Sequence, residues 1–124
     1  MKILSADDSL IMRRIIRGAV EVLGYDFIEA VDGIDALEKL EEHFQEINLI
    51  LLDWNMPRLD GFSLLKQIKA DPRFKDIPVA MITTESEKSK VAEAVKNGAI
   101  NYVMKPFSQE DLITKILESL GEGF

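Results

Sequence analysis

Apolar positions along this chain fall into two alternating patterns. Short, nearly unbroken runs at Ile3-Leu4-Ser5-Ala6, Tyr25 to Ala30, Leu49 to Asp53, Pro78 to Thr83 and Tyr102-Val103-Met104 read as strands. Leu49 to Leu52 shows no alternation, as expected of a strand buried on both faces. Between the runs, apolar residues recur at helical spacing. The first helix carries Met12, Ile15, Ile16, Ala19, Val22 and Leu23 on one stripe, with Asp8 or Ser9 as its cap and Gly24 closing it. Arg13, Arg14 and Arg17 fall off that stripe and read as a solvated face. The second helix starts at Asp32-Gly33 and turns Ile34, Leu37 and Leu40 inward. Asp60 caps a third, with Phe62, Leu64, Leu65 and Ile68, which ends before Asp71-Pro72. A fourth runs from Ser86 to Asn97 and is closed by Gly98. Ser108 and Asp111 form a capping-box pattern that opens the fifth, with Leu112, Ile113, Ile116, Leu117 and Leu120. Residues 121–124 read as a frayed tail.

The order βαβαβαβαβα predicts an α/β fold with right-handed crossovers. The expected arrangement is a flavodoxin-like, doubly wound (βα)5 domain, a five-stranded parallel sheet of order 2-1-3-4-5 with helices on both faces. At 124 residues the chain fits one domain with a sizeable core, spanning 1–124. A net charge of -7 argues against a nucleic-acid surface. No apolar run approaches a membrane span, and the first residues are too short for a signal peptide, so a cytoplasmic protein is expected. The absence of cysteine removes disulfides, thiol nucleophiles and Cys-ligated zinc. The single histidine, His43, lies among Glu38, Lys39, Glu41 and Glu42 and reads as solvated. Chemistry here must use carboxylates, hydroxyls, lysines or a metal.

Four strands end in polar residues: Asp7-Asp8, Asp53, Thr83-Thr84 and Lys105. A parallel sheet sets all of them along one edge, and strands one and three are neighbours whose helices leave to opposite faces, opening a crevice. Two like charges about 4 Å apart cost on the order of 4 kcal/mol at an effective dielectric near 20. A hard divalent cation relieves that repulsion, and Mg²⁺ suits a few carboxylates, a carbonyl and retained waters. Lys105 adds a second positive charge and Thr83 a hydroxyl, which together prepare a place for an anion. The set suits phosphoryl transfer to Asp53 itself.

In order and spacing, Asp7-Asp8, Asp53, Thr83 and Lys105-Pro106 resemble the receiver domains of two-component response regulators, from Ile3 to Leu120. The resemblance implies that Asp53 takes a phosphoryl group from a histidine kinase. It implies that Asp7, Asp8, Asp53 and the backbone carbonyl of Asn55 hold Mg²⁺, that Lys105 and Thr83 contact the phosphoryl oxygens, and that the Lys105-Pro106 bond is cis. Asp53-Trp54-Asn55-Met56-Pro57, Met12-Arg13-Arg14-Ile15 and Tyr102 before Lys105-Pro106-Phe107 resemble the CheY-like chemotaxis branch of the family. Asn55 and Glu85 then stand at the positions that tune dephosphorylation. Lys88, Val91, Ala99, Tyr102 and Lys115 stand on the face that meets partners, with Tyr102 moving inward as Thr83 bonds the phosphoryl group. The implied partners are a chemotaxis histidine kinase and a flagellar motor switch protein, with a phosphatase as a further candidate. The protein is expected to be a monomeric phosphoacceptor rather than an enzyme with external substrates, and output by association is expected because no DNA-binding domain follows Leu120.

Two departures from the branch stand out: Ser5-Ala6 replaces bulkier aliphatics, which predicts looser packing of the first strand, and Thr84 replaces the usual Ala. Other readings stay open at this point. A phosphorelay intermediate or a phosphate sink would share the same site. A metal-dependent aspartyl phosphatase commonly places a second acid where this chain has Asn55. An FMN-binding flavodoxin-like protein would need a Ser/Thr/Gly-rich loop where Asp7-Asp8-Ser9-Leu10 stands.

Overall fold

A computed structural model describes residues 1–84 and 89–121. Its strands are β1 (Lys2–Ala6), β2 (Asp26–Ala30), β3 (Leu49–Asp53), β4 (Val79–Thr83) and β5 (Asn101–Met104). Its helices are α1 (Leu10–Val22), α2 (Gly33–His43), α3 (Gly61–Ala70), α4 (Val91–Lys96) and α5 (Gln109–Ser119). The strands form one parallel sheet, as the alternation predicts, in the expected order β2-β1-β3-β4-β5.

Why β3 reads as uninterrupted apolar residues is visible in the packing. Leu49 and Leu51 join Ile3, Ala80, Ile82 and Val103 in a core closed by Ile16, Ala19 and Val20 of α1 and Leu112 and Ile116 of α5. Ile50 and Leu52 point the other way, with Leu4, Ala6, Val79 and Met81, into a core closed by α2, α3 and α4. Each fully buried Leu or Ile contributes roughly 1.5–3 kcal/mol, so the two faces together hold the central strands, and the side chains at their ends, in fixed register.

Helix starts follow the expected chemistry. Ser9, Asp32, Asp60 and Ser108 each accept a hydrogen bond from a backbone N–H in the first turn, and Ser108 with Asp111 completes a capping box. The inward stripe of α1 differs from expectation. Ile16, Ala19 and Val20 are buried, whereas Ile15 is 38% and Val22 66% exposed, because α1 turns its core face toward β1 and α5 about one position away from the predicted stripe. Helix α4 runs only from Val91 to Lys96, preceded by a 3-10 turn at Ser89 and Lys90. The expected start at Ser86 lies outside the described residues, as do Glu85, Lys88 and the last three residues of the expected tail.

Ser5 is fully buried in β1, and its Oγ has no hydrogen-bond partner among the described residues, so the departure places an orphaned hydroxyl in the sheet.

Candidate functional site

The carboxyl end of the sheet gathers the polar strand ends. Asp53 is the last residue of β3 and is 5% exposed, Asp7 follows β1 and is fully buried, and Asp8 beside it is exposed. One carboxylate oxygen from each of the three lies within 4.8 Å of the others. Thr83 ends β4, fully buried, with an Oγ1 that has no hydrogen-bond partner among the described residues. Lys105 follows β5, and its backbone N–H donates to the Thr83 carbonyl at 2.7 Å, which sets the lysine level with the ends of β3 and β4. Its Nζ lies 3.2 Å from Asp53 Oδ1 and 3.5 Å from Asp7 Oδ2. The Lys105-Pro106 bond is cis.

Close backbone packing fixes the two acid-bearing loops. Asp7 donates its N–H to the Ala30 carbonyl at 3.1 Å, and its Oδ1 accepts the Ser9 N–H at 2.9 Å. Beyond β3, Gly61 donates to the Trp54 carbonyl at 2.9 Å, and a Cβ at Gly61 would overlap the Asp53 carbonyl oxygen. Only glycine lets α3 begin directly against the end of β3. Trp54 is 6% exposed and stacks on Phe62, with centroids 5.2 Å apart and planes within 4°.

The electrostatics are those of a crowded acidic crevice with too little positive charge. Burial, and then the neighbouring Asp7, push Asp53 up to about 6, with Lys105 only partly offsetting them. Burial also raises Asp7, against the Ser9 N–H and Lys105. Burial of Lys105 opposes its charge, but Asp53 and Asp7 together outweigh it and hold the ammonium above its usual range. A single lysine therefore leaves the acids under-compensated. An oxygen-rich, partly open cluster of this kind fits a hard divalent cation: two buried carboxylates, one exposed, and no soft donor. Receiver domains in general use Mg²⁺ at such an acidic pocket.

The structure brings Asp7, Asp8, Asp53, Thr83 and Lys105 together as the sequence predicts. Asn55 follows on the exposed loop beyond β3. Glu85 and Lys88 lie outside the described residues. Farther off, Tyr102 is 37% exposed on the edge strand β5, with the Lys115 ammonium 5.2 Å from its ring centroid, and Val91 opens α4 half-buried. Ala99 needs correction as a surface residue. It is 6% exposed and belongs to the core under α4, because its N–H returns to the Ala94 carbonyl at 3.0 Å and draws the chain inward. Ile100, 57% exposed, and Val95, 54% exposed, present apolar surface there instead.

Arg13 also departs from the solvated reading. Its side chain is 12% exposed, NH1 donates to the Asp7 carbonyl at 2.8 Å, and Nε lies 3.3 Å from Glu29. It braces the loop that carries the acid pair. Periodicity alone assigns Arg13 to solvent, since a long side chain can fold back over the helix's first turn. His43 faces Glu42 and Glu46 on the far part of α2, remote from the strand ends.

Comparisons with known proteins agree with this geometry. Residues 3–117 match the response regulator receiver domain family. The chain is 46% identical over 122 residues to the chemotaxis protein CheY1 of Helicobacter pylori, covering 98% of each chain. It is 40% identical over 124 residues to a CheY homolog of Campylobacter jejuni, covering 99% of this chain and 95% of that one. Among solved structures it resembles the chemotaxis response regulator CheY4 of Vibrio cholerae, with a TM-score of 0.88 at 32% identity over 96% of this chain and 98% of that one.

Proposed function

Because the chain belongs to the response regulator receiver family, within its CheY-like chemotaxis branch, we propose that Asp53 accepts a phosphoryl group from a chemotaxis histidine kinase with Mg²⁺ present. The observation that carries this reading is the convergence on Asp53 of Asp7, Asp8 and Lys105 within one crevice. Asp7, Asp8, Asp53 and the Asn55 carbonyl would hold the ion. When bound, it supplies charge compensation for the transferring oxygens. Lys105 keeps an ammonium within reach of the same oxygens. Asp53 is the nucleophile and is fully available only when ionised, a state that a divalent cation held by Asp7 and Asp8 would favour against the burial that raises its pKa.

Thr83 links the chemistry to output. Its buried, unpartnered hydroxyl gains an acceptor when Asp53 carries phosphoryl oxygens, which favours movement toward the site. The half-exposed Tyr102 ring of the neighbouring strand then moves inward. One charge-assisted bond is worth roughly 1.5–3 kcal/mol. Moving a two-state element from 1:99 to 99:1 takes about 5.5 kcal/mol, so Lys105 shares the switching or the shift is partial. The affected face comprises α4, β5 and α5, and its partner is a flagellar motor switch protein. Asn55 and Glu85 tune the loss of phosphate.

A binding comparison tests this function. Phosphorylated protein should bind a motor-switch peptide more tightly than the unphosphorylated form does. Preferential binding to a histidine phosphotransfer domain, with no gain for the peptide, would make the protein a relay component instead.

A further inference from the structure

Among the described residues, Arg58 is the one non-glycine residue with a left-handed backbone, at φ +67°. It sits at the centre of a three-residue turn in which Leu59 N–H donates to the Pro57 carbonyl at 2.7 Å. With φ positive, this turn has its less favourable sense for an L-residue. Something must hold it. Arg58 Nε donates to Asp32 Oδ2 at 2.7 Å and NH2 to Asp32 Oδ1 at 3.0 Å, a two-pronged pair with a carboxylate that is 9% exposed. Asp32 is also the cap of α2, accepting the Asp35 N–H at 2.8 Å. The backbones meet at the same place, for a Cβ at Gly33 would overlap the Leu59 carbonyl oxygen.

The pair closes a ring around the acidic crevice. The loop from Trp54 to Asp60 is tied to the sheet at its start, where Trp54 N–H donates to Ile82, and to its own beginning by Gly61. Arg58 ties its middle to Asp32. Two residues before Asp32, the Ala30 carbonyl receives the Asp7 N–H. The loop carrying Asn55 is thus joined, through the turn between β2 and α2, to the loop carrying Asp7 and Asp8. A hydrogen-bonded turn with a strained centre relaxes when its anchor is removed, and the backbone carbonyls on it shift relative to the carboxylates.

We propose that Arg58 and Asp32 are positioning residues for the divalent cation: their pair holds the loop beyond β3 in the conformation that presents the Asn55 carbonyl, and so sets metal affinity. This rests on the Mg²⁺ reading of the site. Neither side chain enters the crevice, and a pair that served only to cap α2 would affect stability without affecting the metal.

The test is a Mg²⁺ titration of the whole chain, followed by Trp54 fluorescence and by calorimetry, with thermal melting of each metal-free variant alongside. Asp32→Asn keeps a good helix cap but loses the charged pair. Arg58→Ala removes the pair and keeps a residue with a side chain at the left-handed centre of the turn. Each should bind Mg²⁺ about tenfold more weakly, the usual scale for loss of a residue that supports a ligand. The double variant should be no weaker than either single one, since both remove the same contact. Arg73→Ala, which breaks a similar two-pronged pair with Asp71 at the other end of α3, should leave affinity unchanged. Affinity within twofold of wild type in both Asp32→Asn and Arg58→Ala overturns the proposal, as does equal weakening by Arg73→Ala. Absence of any Mg²⁺ response in the wild type would defeat the metal reading itself, and the proposal with it.

Discussion

Ser5 and Asp53 both hold a polar group where the sheet is dry, and they do so with opposite consequences. Ser5 Oγ is fully buried without a partner among the described residues. An orphaned buried hydroxyl costs about 1–3 kcal/mol, so Ser5→Ala should raise the unfolding free energy by an amount on the order of 1 kcal/mol, seen as a higher denaturant midpoint. A lowered midpoint would show that the hydroxyl has a stabilising role. Asp53 is raised from 3.8 to about 6, chiefly by burial. A carboxyl raised in the folded state favours folding below its unfolded pKa, and that contribution is lost as pH rises through the folded value. Metal-free protein should therefore lose stability between about pH 4 and pH 7. Asp53→Asn should be the more stable form at pH 7.5, by roughly 2–3 kcal/mol at about 1.4 kcal/mol per pH unit, with the difference vanishing near pH 4. Urea unfolding in chelator across that range checks the sign, and a difference that grows toward acid would contradict it. Which residues met at the site was readable from strand-end polarity. What each experienced there was not, because the pairing of Arg13 with the Asp7 carbonyl and the strained turn at Arg58 depend on side-chain direction and backbone shape that residue type does not specify.

Under the proposed function, the elements at the β5 edge of the sheet carry the output. Val95 on α4, Ile100 before β5 and Tyr102 on β5 are exposed apolar residues on connected elements, and β5 is an edge strand. Scattered exposed apolar residues are ordinary, but an aromatic such as Tyr102 often anchors binding where a partner does dock, with apolar neighbours packed around it. Ile100→Asp should weaken binding of the phosphorylated protein to a motor-switch peptide by about tenfold while leaving the melting temperature near wild type. Unchanged affinity would move the partner face elsewhere. Strands and caps were well specified by sequence, since a continuous apolar run or a Ser/Asp before a helical stripe has few other physical solutions. The phase of α1 was not, because Ile15 and Val22 are apolar yet exposed and blur a purely periodic reading. Ala99 is placed on the partner face by resemblance alone, and the structure buries it because its N–H returns to the Ala94 carbonyl under α4.

At the scale of the whole molecule, the topology accounts for a site that no single segment contains. Asp7 and Asp53 are 46 positions apart and Lys105 another 52 beyond, yet parallel pairing of β1 with β3, β3 with β4 and β4 with β5 sets their ends side by side. The two cores on either face of the sheet hold that alignment, so under the proposed function a charge added at Asp53 acts first on Thr83 and Lys105. Phosphoryl transfer tests this most directly. Incubated with a labelled, phosphorylated chemotaxis histidine kinase and Mg²⁺, wild-type protein should acquire the label, while Asp53→Asn and wild type in excess chelator should not. Equal labelling of Asp53→Asn would contradict the central role of Asp53, and equal labelling in chelator would contradict the need for the cation.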